Sequence, residues 1–315
     1  MKKIAFIILS LIPFIGLLPE VKSEWPVLKG PYLGQKPPGI TPEIFAPEIL
    51  ATDGTPFNSA FSPDGYEFYY SVSSDKDKKD RIWFTRRIKG VWTKPKIAPF
   101  SGKFDDCDVS FSTDGQRLFF ISLGRPLPGQ SEPTKRNYMW SVERTKAGWS
   151  KPQLLEYPGN RGGVYPMSTE NKTLYFSSRL PTNYGKGDIY RTRLVNGIHT
   201  IPENMGPNIN SKYAESDAYV TPDESFMIIT RWQHPENTGG GEADLYISFI
   251  RSDGSWSKPV NLGCLINSKQ IEFCPSFSPD GKYFFFSKYI RETNDCNIYW
   301  VDAKIIEELK PGELK

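Results

Sequence analysis

The sequence predicts an all-β ring of five four-stranded antiparallel units, and three observations carry that expectation. One turn motif recurs at near-constant spacing, each copy is followed by an unbroken apolar strand, and glycine and proline are too frequent for a helical bundle. The 315 residues include 26 Gly and 27 Pro, about one residue in six, while 38% hydrophobic and 14% aromatic content excludes a disordered chain.

In chain order, Lys2 and Lys3 precede an apolar stretch from Ile4 to Leu18, and Val21-Lys22-Ser23 supplies small residues at a cleavage site. Residues 1–23 therefore read as a signal peptide, which predicts a periplasmic or secreted protein. No later apolar run is long enough to span a membrane, so the mature protein is expected to carry no membrane span. Residues 24–40, with Pro26, Pro31, Pro37 and Pro38, read as an extended arm.

The propeller is expected over residues 41–302, because a short apolar strand recurs five times, ending at Phe61, Phe111, Met167, Val220 and Phe277. Each is followed by a turn: Ser62-Pro63-Asp64-Gly65, Ser112-Thr113-Asp114-Gly115, Ser168-Thr169-Glu170-Asn171, Thr221-Pro222-Asp223-Glu224 and Ser278-Pro279-Asp280-Gly281. Proline presets φ at the second place, aspartate bonds back to the backbone at the third, and glycine takes positive φ at the fourth. Glu224 departs from that rule and predicts a strained or reshaped fourth turn.

Second strands such as Phe68-Tyr69-Tyr70-Ser71 and Phe284-Phe285-Phe286-Ser287 are continuous apolar runs, as expected of strands covered on both faces. Third strands follow the pattern of Asp188-Ile189-Tyr190. Fourth strands are marked by Trp92-Thr93-Lys94-Pro95 and its counterparts, where proline suits an outer edge. The units fall at about 55–100, 105–157, 162–206, 214–262 and 271–302, and the last lacks a fourth strand. Residues 43–50 resemble the missing strand and are expected to close the ring; residues 303–315 form a short helical tail.

The S-P-D-G turns, the aromatic second strands and the D-I-Y or D-L-Y third strands resemble the WD40-like β-propeller repeat of TolB-type exported bacterial proteins, over about residues 40–302. The resemblance implies a five-bladed β-propeller that binds or scaffolds before it catalyses. The chain has neither a separate N-terminal TolB domain nor a hydrolase domain, and no G-x-S-x-G nucleophile elbow.

Charge and cysteines narrow the function. Lys+Arg 39 against Asp+Glu 36 gives no basic footprint for nucleic acid. Cys107, Cys264, Cys274 and Cys296 permit two disulfides in three pairings, or free buried thiols, and their spacing matches no zinc motif. No metal and no cofactor is expected. Counting back from each inner strand's end places Asp106, Asp108, Glu215, Asp217 and Glu272 at one mouth of the central channel. Arg161, Arg179, Arg231, Trp232 and His234 fall in neighbouring loops and strand ends.

Such a set serves inter-blade ion pairing, or a site for a peptide, an envelope protein or a glycan, on a monomer. A carbohydrate-active enzyme is the alternative, with Asp108 or Asp217 as base and Glu215 or Glu272 as acid; carboxyls about 5–5.5 Å apart would imply retention, about 6.5–9.5 Å inversion. Asp75 to Asp80 alternates charge like a calcium loop but lacks its glycine and glutamate, and reads as a solvated loop. His199 reads as a packing residue, the loop Thr238-Gly239-Gly240-Gly241 as a flexible connection, and Asn171-Lys172-Thr173 as a sequon of little weight.

Overall fold

A computed structural model describes residues 25–50, 54–74, 76–160 and 162–310. The expected signal peptide and the candidate Arg161 lie outside the described residues. The architecture is all-β and propeller-like: three five-stranded sheets and one eight-stranded sheet. The eight-stranded sheet consists of two antiparallel units joined by a single parallel pair, Ala243 beside Ile271.

The first strands of the repeats are Gly54–Phe61, Asp105–Phe111, Val164–Ser168, Ala214–Val220 and Ile271–Phe277. Each packs beside the next, and the last packs beside the first, so their neighbour relations close on themselves. Second strands are buried on both faces, as their unbroken apolar composition requires: Phe68, Tyr69 and Tyr70 are all fully buried. The core divides into five apolar clusters, each wedged between two consecutive repeats, such as Tyr69, Phe84 and Phe111 between the first two.

The outer edges differ from the expected continuous strand. Val91–Trp92 and Lys96–Ile97 both pair with Asp80–Ile88, and Pro95 falls in the gap between them. Having no N–H, proline interrupts the ladder where the chain steps from one pairing to the next. The closing segment is also shorter than 43–50. Glu43–Ile44 pairs with Asp295–Asp302, whereas Pro47–Leu50 is a single helical turn that starts at its proline. Phe45, between the two, is the staple: its ring meets Phe68 of the first repeat and Phe285 and Trp300 of the last within 5.4 Å.

Residues 25–40 run against the ring. Trp92 donates its backbone N–H to the Leu28 carbonyl and its Nε1–H to that of Gly30, while the Tyr32 hydroxyl donates to Asp280. At the other end the helix Lys304–Glu308 packs Ile306 into the cluster between the fourth and fifth repeats. No helix among the described residues is long and apolar enough to cross a membrane. All four cysteines are free thiols.

Candidate functional site

The inner strands carry candidate residues in two tiers, with the turns beyond. The first tier holds Asp106, Glu215 and Glu272, all essentially buried. Each meets a cation borne by the second strand or the loop after it: Arg125 Nη2 lies 3.0 Å from Asp106, Arg231 Nε 3.6 Å from Glu215, and Lys288 Nζ 3.2 Å from Glu272. Each is also caged by a serine. Ser101 donates to Asp106, and Ser211 and Ser268 donate both hydroxyl and backbone N–H to Glu215 and Glu272. Arg125 caps Phe104 at 4.6 Å, and Arg231 lies 5.0 Å from the Tyr246 ring centroid while donating to the Ile209 carbonyl. Burial pushes the Glu215 and Glu272 carboxyls up and the Arg231 guanidinium down, and the ionic contacts offset part of that cost.

A motif not used in the sequence reading builds two of these cages. Ile209-Asn210-Ser211 and Ile266-Asn267-Ser268 each end four places before a carboxylate in the pattern I-N-S-K-x-x-E. The asparagines clamp the preceding repeat: Asn210 exchanges bonds with the Ile189 backbone at 2.8 and 3.0 Å, and Asn267 with that of Leu245 at 2.9 Å. The signal was present in the sequence as six identities in ten positions between Gly206–Glu215 and Gly263–Glu272.

The second tier is Asn58, Asp108, Tyr165, Asp217 and Cys274, one residue per repeat. All five have φ near +50°, and all are buried. In every repeat the residue sits in a break of register between first and second strands. The tier is linked around the ring. Asn58 N–H donates to Ser287, Asp108 N–H to Ser71, Val109 N–H to Asn58 Oδ1, and the Cys274 thiol faces Asp108 at 3.9 Å. The Tyr165 hydroxyl reaches across to the Pro275 carbonyl at 2.6 Å. Burial, with the Asp217 charge second, holds the Asp108 carboxyl well above the usual range, and burial pushes Asp217 up to about 6.

Counting three places back from each inner strand's end, which gives Asp108 and Asp217, gives Val164 from Met167 in the third repeat, but Tyr165 takes that place at φ +51°. The third turn is one residue shorter than the others: Ser168 pairs with Leu174, six places on, where Phe61 pairs with Phe68, seven on. The turn is therefore Thr169-Glu170-Asn171-Lys172, closed by the Lys172 N–H on the Thr169 carbonyl, with Lys172 rather than Asn171 at φ +59°. The fourth turn keeps the common shape, with Glu224 held at φ +60° where three repeats have glycine near +70°.

The remaining candidates lie apart from this axis. Arg179 is exposed. Trp232 donates to Ser216, and His234 sits between the rings of Tyr213 and Tyr246, where burial lowers its pKa. The loop around Thr238–Gly240 is tied down by Asn237, which donates to the Arg231 and Gly241 carbonyls.

Two joined openings lie at the turn end of the inner strands, opposite the first tier; a cavity of about 460 Å³ at the other end lies between the first and fifth repeats, lined by Phe57, Asp80 and Phe273. An axial cavity of about 460 Å³ is lined by strand ends and turns of all five repeats. The second turn places of every repeat, Pro63, Thr113, Glu170, Pro222 and Pro279, form its rim, and Tyr165, Met167, Tyr219 and Phe277 supply aromatic and thioether surface. A cleft of about 490 Å³ continues it outward between the second and third repeats, sharing Thr113, Ser168 and Glu170. No described cavity is lined by Asp106, Asp108, Glu215, Asp217 or Glu272. No group of metal-ligating side chains able to hold an ion occurs among the described residues.

No family model matches the chain, and no curated protein matches it. Solved structures do. A TolB-like protein of Agrobacterium tumefaciens is similar at 14% identity, over 80% of this chain and 78% of that one, with a TM-score of 0.51. A glycoside hydrolase is similar at 10% identity, over 90% of this chain and 93% of that one, with a TM-score of 0.52. At such identity the likeness shows the fold alone, a β-propeller.

Proposed function

We propose that the chain is an exported, monomeric, non-catalytic five-bladed β-propeller that binds a peptide, protein segment or glycan at one mouth of its central channel. The blade count is supported by the five first strands, whose neighbour contacts close into a cycle, and by the five inter-repeat clusters. The observation that carries the binding reading is the axial cavity, to which every repeat contributes and whose lining mixes aromatic, hydroxyl and proline groups. The mouth in question is therefore the turn end. At the other end the carboxylates are matched, each within its own repeat, by Arg125, Arg231 and Lys288, so their charge is already spent on the fold.

A thermal-shift screen of peptides and glycans, repeated on Thr113→Trp, tests this reading. Thr113 stands on the rim shared by cavity and cleft, so the tryptophan blocks both. Hits that stabilise the parent and not the variant are expected; a full screen without hits, or hits indifferent to the variant, would reject it.

The carbohydrate-active alternative keeps one observation in its favour: Asp108 and Asp217 are both held protonated more readily than ordinary carboxyls. It predicts product formation from a bound glycan that disappears in Asp108→Asn and in Asp217→Asn. Product formation unchanged in both variants excludes it.

A further inference from the structure

We propose that the axial cavity selects its occupant by charge, taking the end of a linear peptide in which a lysine, arginine or free amine is set among apolar residues. The remainder of the peptide leaves through the cleft between the second and third repeats. This inference rests on the binding reading above and names the partner class for that same cavity.

The charge argument comes from the lining. Of the residues around the cavity none is lysine, arginine or histidine, and two are carboxylates, Glu170 and Glu307. Both are exposed, and neither is in an ion pair among the described residues. Glu170 occupies the second place of the third turn, where the other four repeats carry three prolines and Thr113, so it is the single charge in that ring. Glu307 approaches from a separate element, the helix Lys304–Glu308. Two unmatched carboxylates over an opening with no cation repel an anionic ligand and attract a cationic one. A neutral glycan can donate hydroxyls to them but gains no ionic attraction, and an acidic one is repelled.

The apolar part of the argument comes from the wall. Tyr165 is fixed by its bond to the Pro275 carbonyl, and Tyr219 packs on Phe277 with centroids 4.9 Å apart. These rings are held before anything binds, which lowers the ordering cost of receiving an apolar side chain. Met167 beside them adds an adaptable surface. The cleft completes the path. Its charges are of both signs, with Asp114, Glu143 and Glu170 against Arg117, Arg144 and Lys172, and Arg117 and Arg144 are already paired with Glu143 and Glu67. It therefore admits a chain without selecting its charge, and selection belongs to the axial cavity. The Ser168 hydroxyl, a buried atom with no partner among the described residues, lies where cavity and cleft join and is placed to bond a passing peptide backbone.

The test is fluorescence anisotropy on the full chain with a dye-labelled lysine–leucine–tryptophan peptide, its glutamate-for-lysine counterpart and its asparagine-for-lysine counterpart. The variants are Glu170→Lys/Glu307→Lys and Thr113→Trp; all three positions are at least partly exposed, and a melting curve checks that each variant folds. The lysine peptide is expected to bind tightest, to weaken as salt rises, and to lose about tenfold or more on the charge-reversed variant. Thr113→Trp is expected to abolish its binding. Charge selection is overturned if the glutamate peptide binds as well, or if charge reversal changes nothing, even where Thr113→Trp still blocks all three peptides and so upholds the cavity. Binding of the lysine peptide that survives Thr113→Trp overturns it too. Failure of every peptide together with failure of the wider screen removes the binding reading itself.

Discussion

Asp106 and Asp108 stand two residues apart on one strand, as do Glu215 and Asp217 on another, yet the members of each pair have opposite surroundings. The first of each is buried against a cation, Arg125 or Arg231. The second is buried with no cation against it, and burial raises its carboxyl. In a regular strand, positions i and i+2 share one face. Here the second residue sits at φ near +50° in a bulge, so the two side chains no longer share an environment. A count along the strand therefore finds the right residues and misjudges what they do. One tier pairs each carboxylate with a cation of its own repeat; the other links residues of different repeats across the channel.

The sharpest way to break this contrast is to remove a first-tier cation. Arg231→Met leaves Glu215 buried beside Ser211 without a counter-charge, and such a loss costs about 3–5 kcal/mol. Urea unfolding near neutral pH measures it. The loss should shrink in mild acid, where Glu215, already pushed up by burial, takes a proton. The double variant Arg231→Met/Glu215→Met should recover most of the stability. An Arg231→Met variant no less stable than one carrying the same change at exposed Arg179 would show that the ion pair does not hold its sheet together.

The second tier should respond to pH in the opposite sense to a paired carboxylate. Asp217 titrates near 6 in the folded chain and near 3.8 when unfolded, so between those values the folded state binds the proton more tightly. Its stabilising contribution is complete below about 3.8 and is lost as pH rises through 6. Asp217→Asn keeps an acceptor for the Cys274 N–H and cannot ionise. It should melt higher than the parent at pH 8, by an amount worth up to about 3 kcal/mol, and match it in acid. A melting curve for Asp217→Asn that parallels the parent across pH would mean that the carboxylate is solvated after all.

The sequence made the fold legible because the repeat carries redundant information. Five turns, five apolar second strands and a leftover edge strand all specify the same unit, so one defective copy such as the Glu224 turn does no harm. The site was less legible for three local reasons. The third turn is shorter by one residue, which displaced the count from Tyr165 to Val164. The bulge reverses side-chain direction inside a strand whose alternation looks unremarkable. The serine and asparagine cages of Glu215 and Glu272 come from loops of the preceding repeat, a pairing that becomes visible only when the two I-N-S-K-x-x-E segments are set side by side. The open cavity at the turn end has no signature of its own, since it is made by residues that each serve a turn first.

The smallest expected effect asks whether positive φ is tolerated in the belt for a reason that the turns lack. Gly281 closes the fifth turn at φ +70°, and a β-carbon added there meets nothing within 4 Å, so Gly281→Ala isolates the backbone term. The expected loss is about 1 kcal/mol. Lys172 at φ +59° is the converse case: exposed, in the same turn place, and paying that strain already. Lys172→Gly should gain somewhat less than the alanine loses, because glycine also loosens the unfolded chain. Asn58, Asp108 and Asp217 are different, since asparagine and aspartate visit this region at lower cost and here are held by bonds to neighbouring repeats, Asp217 by the Cys274 N–H. Glycine at Asn58 would remove the bond from Val109 N–H and leave a buried donor without a partner. Asn58→Gly should therefore destabilise where Lys172→Gly stabilises, although the backbone angle is nearly the same. Equal signs for the two glycines would mean that the belt is held by backbone geometry alone, and not by the side chains that link one repeat to the next.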